Sequence, residues 1–388
     1  MNRREFLSML AVQGLAIRFG LDAAPSSSSK KKTLILLELK GGNDGLNTVI
    51  PVHNKNYQTL RPSLGLQASE TLDIGEKSLH LHPSLKNFAK LYKKGDLAIV
   101  QGLGYPEPNR SHFRSIDIWE TASDSDEYLD QGWMARLLEN QKNQFEGYDL
   151  DGLVLGNDDL GPLLGHYDST LILANPERFL KQAGRVRKRK KEFSKGNPAL
   201  AHIYKVKEEL MLAAQDLQDR MKTAPKIPVN FPKGQHGKGA EMVSKLLASG
   251  LRPAVMKITL GGFDTHSNQL KKHANLLKIL DESISSLYEA LHAVGIAQDV
   301  VIASYSEFGR RVKENGSKGT DHGTAAPHFV LATGVNGGLH GKTPNLEDLE
   351  RGDLKFTTHF RSYYQALASE CFDLKAFPST SETLNLFS

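Results

Sequence analysis

Residues 258–331 constrain the fold more than any other stretch of this chain. They read I-T-L-G-G-F-D-T-H, a helical spacer, V-V-I-A-S-Y-S-E-F-G-R-R, and then G-T-D-H-G-T-A-A-P-H-F-V-L. The runs at 254–260 and 299–305 are continuously apolar and rich in β-branched residues, the pattern of parallel strands buried on both faces. A third run, 328–333, follows soon after Asp321, His322 and Gly323 and is read the same way. Between the first two, residues 270–294 place Leu276, Leu277, Leu280, Ile284, Leu287 and Leu291 at helical spacing. Strand, helix and strand make a βαβ unit. In such sheets ligands bind beyond the carboxyl ends of the strands. Asp264 and His266 follow the first run and Glu307 follows the second. Oxygen and nitrogen donors at strand ends are what a metal site requires.

The chain has 388 residues, enough for one large α/β domain or two small ones. An apolar fraction of 39% and a charged fraction of 24% place it among globular proteins. The net charge of +5 reads as a solvated surface and does not by itself call for nucleic acid, so no nucleic-acid partner is expected. The single cysteine, Cys371, excludes an internal disulfide and a cysteine-based metal cluster, and reads as a buried thiol.

The chain opens Met1-Asn2-Arg3-Arg4-Glu5-Phe6-Leu7, with an apolar stretch over 7–17. Paired arginines before such a stretch resemble a twin-arginine export signal. The stretch is too short and too mild to hold a membrane as a stable transmembrane segment. The other reading is an ordinary basic amphipathic N-terminus. Serines and lysines over 26–32 form a polar linker. The expectation is a signal and linker over 1–29, engagement of the twin-arginine translocase, a periplasmic or otherwise exported location, and one domain over 30–388.

Residues 33–39 form another buried-strand candidate and end in G-G-N-D-G. The glycines let the backbone turn sharply and approach a ligand. Asp44 is therefore either a strand-end carboxylate ligand or the aspartate of an ordinary Asp-Gly turn. A strand at 97–101 leads into a loop carrying Arg110, Ser111, His112 and Arg114, side chains that bind anions or act as nucleophiles. Helices are expected over 83–93, 129–140, 198–224, 239–249 and 359–371, with another opening near 116–122 and Trp119 in the core. The basic run at 181–195 reads as a solvated segment. The fold class is α/β: a doubly wound, mostly parallel sheet with helices on both faces.

Convergence of Asp44, Ser111, Asp264, His266, Glu307, Asp321 and His322 at one sheet edge would support metal-assisted ester hydrolysis. Metals would bind the anionic oxygens, Ser111 would be the nucleophile, and Arg110 or Arg114 would steady negative charge. Asp264, His266 and His322 would take one divalent metal, zinc first, with manganese, magnesium or calcium as alternatives. Asp44 and Glu307 would take a second and harder ion. The bland alternative is a set of strand-end turns with satisfied polar side chains.

The ordered set G-G-N-D-G-L-N-T-V-I-P, L-H-P-S-L, G-Y-P-x-P-N-R-S-H-F-R-S, G-G-F-D-T-H, S-E-F-G-R-R and G-T-D-H-G-T-A-A-P resembles a bacterial domain family of unknown function, DUF1501, over about residues 32–367. That family looks related to the alkaline phosphatase and sulfatase superfamily. The resemblance implies an alkaline-phosphatase-like fold with metals at the carboxyl edge of the sheet. It also implies a phosphate or sulfate ester as substrate, in a small molecule or polymer of the cell envelope. Asp44 resembles the first-strand metal aspartate, and Asp264 with His266 the aspartate–histidine metal pair at closer spacing. Phe308 stands where the superfamily has a histidine, beside Glu307. Asp321-His322 fits either the Asp-His pair or, through His322 alone, the late metal histidine. The cysteine motif that sulfatases convert to a catalytic aldehyde is absent. A non-catalytic exported binding protein on the same fold is the alternative.

Overall fold

The computed structural model describes residues 31–167, 169–176, 178, 215–377 and 383–387. The signal expected over 1–29 and the basic run at 181–195 lie outside these residues, as does most of the helix expected at 198–224. Of that helix, residues 215–223 are described and helical.

Among the described residues, nine strands form one sheet: β1 (Thr33–Lys40), β2 (Leu97–Gly104), β3 (Leu150–Leu155), β4 (Thr170–Leu173), β5 (Pro253–Gly261), β6 (Val300–Tyr305), β7 (Ala326–Ala332), β8 (Gly338–His340) and β9 (Thr358–His359). In space they run β8-β2-β7-β6-β1-β5-β3-β4, and β9 also pairs with β2. β1 lies at the centre, parallel to β5 on one side and β6 on the other. The βαβ unit read in the sequence therefore crosses over β1, carried by a helix over Gln269–Ala293.

One expectation is corrected. The third apolar run is not parallel: β7 pairs antiparallel with both β2 and β6. The cause is the connection. A parallel return needs a crossover of a dozen or more residues, usually helical. The chain between Tyr305 and Ala326 forms no helix, so it turns back at the same sheet edge. Asp321 and His322 thus precede their strand and still stand beside Glu307, which follows its own.

Alternate residues of β1 explain the layers, because successive side chains on a strand point to opposite faces. Ile35, Leu37 and Leu39 enter one core with Phe88 and Tyr92 of α1 (Lys86–Lys94), Val243 of α4 (Gln235–Ala248), and Leu280 and Leu287 of α5 (Gln269–Ala293). Leu34 and Leu36 enter the other with Trp119 of α2 (His112–Thr121), Trp133 of α3 (Trp133–Asn140) and Tyr364 of α6 (Phe360–Phe372). Each fully buried large apolar side chain contributes about 1.5–3 kcal/mol. Cys371 packs in the second core, where burial pushes its thiol pKa up.

Glu38 is the next β1 residue on that second face and is fully buried. A lone carboxylate there would be costly. Its Oε2 lies 3.2 Å from buried Lys257 Nζ, which also reaches Glu120 Oε1 at 3.4 Å and Asp159 Oδ2 at 3.1 Å. Burial, with Asp159 and Glu38 nearby and Lys257 opposing, pushes the Glu120 carboxyl pKa up to about 8.

Candidate metal centre

Four chain segments meet at the carboxyl edge of the sheet. The turn after β1 brings Gly41, the loop after β5 brings Asp264 and His266, and the hairpin between β6 and β7 brings Glu307, Asp321 and His322. The start of α2 brings His112. Close backbone approach makes this meeting feasible. A Cβ at Gly41, whose φ is +113°, would stand 2.4 Å from the Asp264 backbone nitrogen. A Cβ at Gly319 would stand 2.2 Å from the His266 carbonyl carbon, so only glycine admits the approach at either place.

Arg310 fastens the loops from below. It is buried, and its Nε donates to the Gly42 carbonyl at 2.7 Å and its Nη1 to the Thr320 carbonyl at 2.9 Å. Its Nη2 donates to the carbonyls of Gly41 and Phe263 and to Asp264 Oδ1, the last at 2.6 Å. Gln269 ties the same loops from another side. Its Oε1 accepts from the Thr265 hydroxyl at 3.0 Å and the Thr320 hydroxyl at 2.7 Å, while its Nε2 donates to Asp44 Oδ2.

The histidines are held at one nitrogen each. His112 Nδ1 lies 2.9 Å from Glu307 Oε1, His266 Nδ1 lies 3.1 Å from Asp321 Oδ1, and His322 Nδ1 lies 2.8 Å from the Arg110 carbonyl oxygen. All three partners are acceptors, so a proton at each Nδ1 satisfies them, and in that tautomer each ring offers its Nε2 lone pair to a cation. The three Nε2 atoms converge on Asp264. His266 Nε2 and His322 Nε2 lie 3.0 and 3.2 Å from its Oδ1, and His112 Nε2 lies 3.4 Å from its Oδ2. His266 Nε2 and His322 Nε2 are themselves 3.0 Å apart. The ligand atoms of His112, Asp264 and His322 lie within 4.8 Å of one another.

The electrostatics match these roles. Burial disfavours the charged form of Asp264, but the Arg310 guanidinium, helped by His266 and His322, outweighs it and holds the carboxyl down at about 2. Burial, with Arg310 and His112 nearby, lowers the His322 pKa against the pull of the Arg110 carbonyl, which keeps the ring neutral. The Asn315 amide, 3.0 Å from Asp321 Oδ1, lowers the Asp321 pKa. A neutral imidazole steadied at one nitrogen by a carboxylate or carbonyl is the usual state of a metal-bound histidine. The imidazoles of His112 and His322 and the Asp264 carboxylate are a donor set that fits a divalent cation, with His266 Nε2 beside them 3.0 Å from Asp264 Oδ1.

The structure therefore brings together Asp264, His266, His322, Asp321 and Glu307 from the sequence reading. Glu307 is buried and reaches the cluster through His112; its Oε1 also accepts the Gly41 amide at 2.8 Å. Asp44 is fully buried, and its Oδ2 receives Arg61 Nη1 at 2.6 Å. Burial raises the Asp44 pKa, and Arg61 outweighs that to leave it lowered. Ser111 is the exposed N-cap of α2, directly before His112, and its side chain makes no capping bond. Arg114 points away: it pairs with Asp117 on its own helix and meets the carbonyls of Asp124, Ser125 and Glu127 in the 123–127 loop. Phe308 stacks on the His322 ring at 4.5 Å and leans on His112 at 4.9 Å, so it packs two rings in place.

Sequence reading missed His112 as a metal donor, and missed Arg310 and Gln269 altogether. His112 was visible as a polar residue in the loop after β2, but nothing in its spacing says that its ring meets a loop 152 positions later at Asp264. A larger cavity, about 490 Å³, lies under α4 and α5 beside Leu37, Leu155 and Ile258, and shares no residue with the cluster.

Residues 177–354 match the family described as Protein of unknown function (DUF1501). This is the family that the sequence motifs resemble. The DUF1501 match takes in Asp264, His266, Glu307, Asp321 and His322 and stops short of Asp44 and His112. No curated protein matches the chain. Among solved structures, the chain is similar to the C-terminal periplasmic domain of EcEptC from Escherichia coli in complex with Zn, at TM-score 0.39 and 11% identity, covering 80% of this chain and 75% of that one. It is similar to a protein in the alkaline phosphatase superfamily from Vibrio parahaemolyticus, at TM-score 0.40 and 10% identity, covering 96% and 76%. It is also similar to the PsFucS1 sulfatase from Pseudoalteromonas sp., at TM-score 0.40 and 10% identity, covering 89% and 69%.

Proposed function

We propose that this chain is an exported, metal-dependent hydrolase of a phosphate or sulfate ester, built as one α/β domain over residues 30–388. One observation carries the reading: ligand atoms of His112, Asp264 and His322 lie within 4.8 Å of one another, and His266 Nε2 stands 3.0 Å from both Asp264 Oδ1 and His322 Nε2. A divalent cation at their meeting point would be held by the imidazole nitrogens and the carboxylate together. His112, His266, His322 and Asp264 would hold it. Nitrogen-rich donors favour zinc over magnesium or calcium. When bound, the ion supplies Lewis acidity toward an anionic ester oxygen.

The chain's own groups supply the rest. Ser111 stands at the N-terminus of α2, where backbone amides favour an anion, and its hydroxyl is unengaged by a cap. It is the nucleophile of this reading. Arg110, whose Nη1 pairs with Asp353 at 2.9 Å, is the charge-steadying arginine, because Arg114 is committed to the 123–127 loop. Glu307 and Asp321 orient His112 and His266. Asp44, paired with Arg61, braces the loop rather than binding a second ion. The substrate class is an anionic ester of the cell envelope. Export rests on the twin-arginine pattern; among the described residues no helix is long and apolar enough to cross a membrane.

The two arginines at Asp44 and Asp264 favour one further reading, a non-catalytic exported binding protein whose acidic groups are already compensated. Elemental analysis of the mature protein, beside an Asp264→Ala, His322→Ala variant, separates the two. Stoichiometric metal that the variant lacks, with turnover of phosphate or sulfate esters in its presence, supports the hydrolase. Absence of bound metal after soaking with zinc, manganese or calcium overturns it.

A further inference from the structure

The cavity of about 490 Å³ under α4 and α5 falls within the size of small-molecule sites, about 300–1,000 Å³. Its floor is one transverse row of the sheet. Leu155 of β3 pairs in register with Ile258 of β5, and Ile258 with Leu37 of β1. β5 is hydrogen-bonded on both sides, and Ile258 faces the helix layer, where close packing is the rule. Yet Ile258 is only half-buried, as are Ile279 of α5 and Met242 of α4, which line the same space. Apolar side chains on three elements thus border room that no described residue fills.

Gly239 keeps that room open. It lies inside α4 with no positive φ, and a Cβ added there meets no described atom within 4 Å. Glycine inside a helix is destabilising relative to alanine, so backbone conformation does not account for it. The space it leaves beside the cavity does.

The rim has the opposite character. Gly234, Gln235, His236 and Lys238, at the start of α4, border the cavity. Gly234 is the N-cap of this 14-residue helix and supplies no side-chain cap, so the first-turn amides keep their attraction for an anion. Lys238 adds positive charge, and no aspartate or glutamate is among the described residues of the lining. On the α5 wall, Ser283 is 5% exposed and its Oγ has no hydrogen-bond partner, an internal polar group that the fold leaves unanswered. An apolar floor beside a positive rim complements a molecule with a hydrocarbon body and an anionic end.

We propose that this cavity binds a single acyl chain with an anionic head, the chain lying along Leu155, Ile258 and Leu37 and the head at the start of α4. The site shares no residue with the metal centre and stands whether or not that centre hydrolyses esters. Isothermal titration calorimetry of the full mature chain is run with decanoate, decyl phosphate and decanol, each below its micellar or solubility limit. The expected result is saturable binding of an anion at one site per chain, about tenfold or more tighter than decanol. The tighter of the two anions tells a fatty-acid head from a phospholipid-type head. Gly239→Leu and Met242→Trp fill the space from neighbouring turns of α4. Each should weaken binding about tenfold or more, with the circular dichroism of the wild type. Equal binding of decanol, binding that the folded filling variants retain, or no saturable binding of either anion overturns the proposal.

Discussion

His266 Nε2 and His322 Nε2 stand 3.0 Å apart, while the far nitrogens lie 3.1 Å from Asp321 Oδ1 and 2.8 Å from the Arg110 carbonyl oxygen. A cation placed there would be held by both ring nitrogens. Zinc should therefore raise the melting temperature of the wild-type chain, since a ligand that binds only the folded state stabilises it. At a free zinc level about 100 times Kd the gain is about 2.7 kcal/mol. Differential scanning calorimetry with and without zinc checks this, and His322→Ala should show no rise.

Glu307 touches the cluster only through His112 Nδ1 and through the Gly41 amide. Glu307→Gln retains the shape but weakens the acceptor that fixes the imidazole tautomer. Zinc affinity should fall about 10- to 100-fold with the fold intact. Competition against a chromophoric chelator measures the affinity, and circular dichroism the fold.

Arg61 and Asp44 are both fully buried and pair at 2.6 Å. Removing one charge leaves the other without compensation. Arg61→Ala should destabilise the chain by about 3–5 kcal/mol, read from the urea midpoint. Asp44→Asn in the same chain should recover part of the loss, because the uncompensated charge is gone.

Glu120 gives a pH signature away from the metal centre. Burial pushes its pKa up to about 8 from an ordinary 4.5, so the folded chain keeps a proton that the unfolded chain releases. Stability from this group is fully present below pH 4.5 and is lost as the pH rises through about 8. Glu120→Gln cannot release that proton. Thermal denaturation from about pH 5 to about pH 9 should show the variant gaining on the wild type as the pH rises.

Much of the architecture was legible because buried parallel strands write themselves as continuous apolar runs. β1, β5 and β6 and the helix after β5 lie within a residue or two of their expected bounds. The direction of β7 was not legible. An apolar run has no sense of direction, and the connection before it decides which way the strand points. The metal-ligand candidates at 264, 266 and 322 carried a local signature, acid and imidazole within short glycine-bearing loops. His112 carried none, because its role comes from where β2 lies in the sheet. Arg310 was quoted within a motif but passed over, since burial of a guanidinium among main-chain carbonyls leaves no trace in sequence.

The reversal of β7 has a consequence for how the centre is assembled. Glu307, Arg310, Asp321 and His322 all sit on one hairpin, so an acceptor, a fastening cation, a second acceptor and a ligand arrive together from neighbouring positions in the chain. His112 and Asp264 reach it only when distant strands have found their places around β1. Half of the centre is thus a local cassette and half is a report on the completed sheet, and the two halves can meet only in a chain that has finished folding.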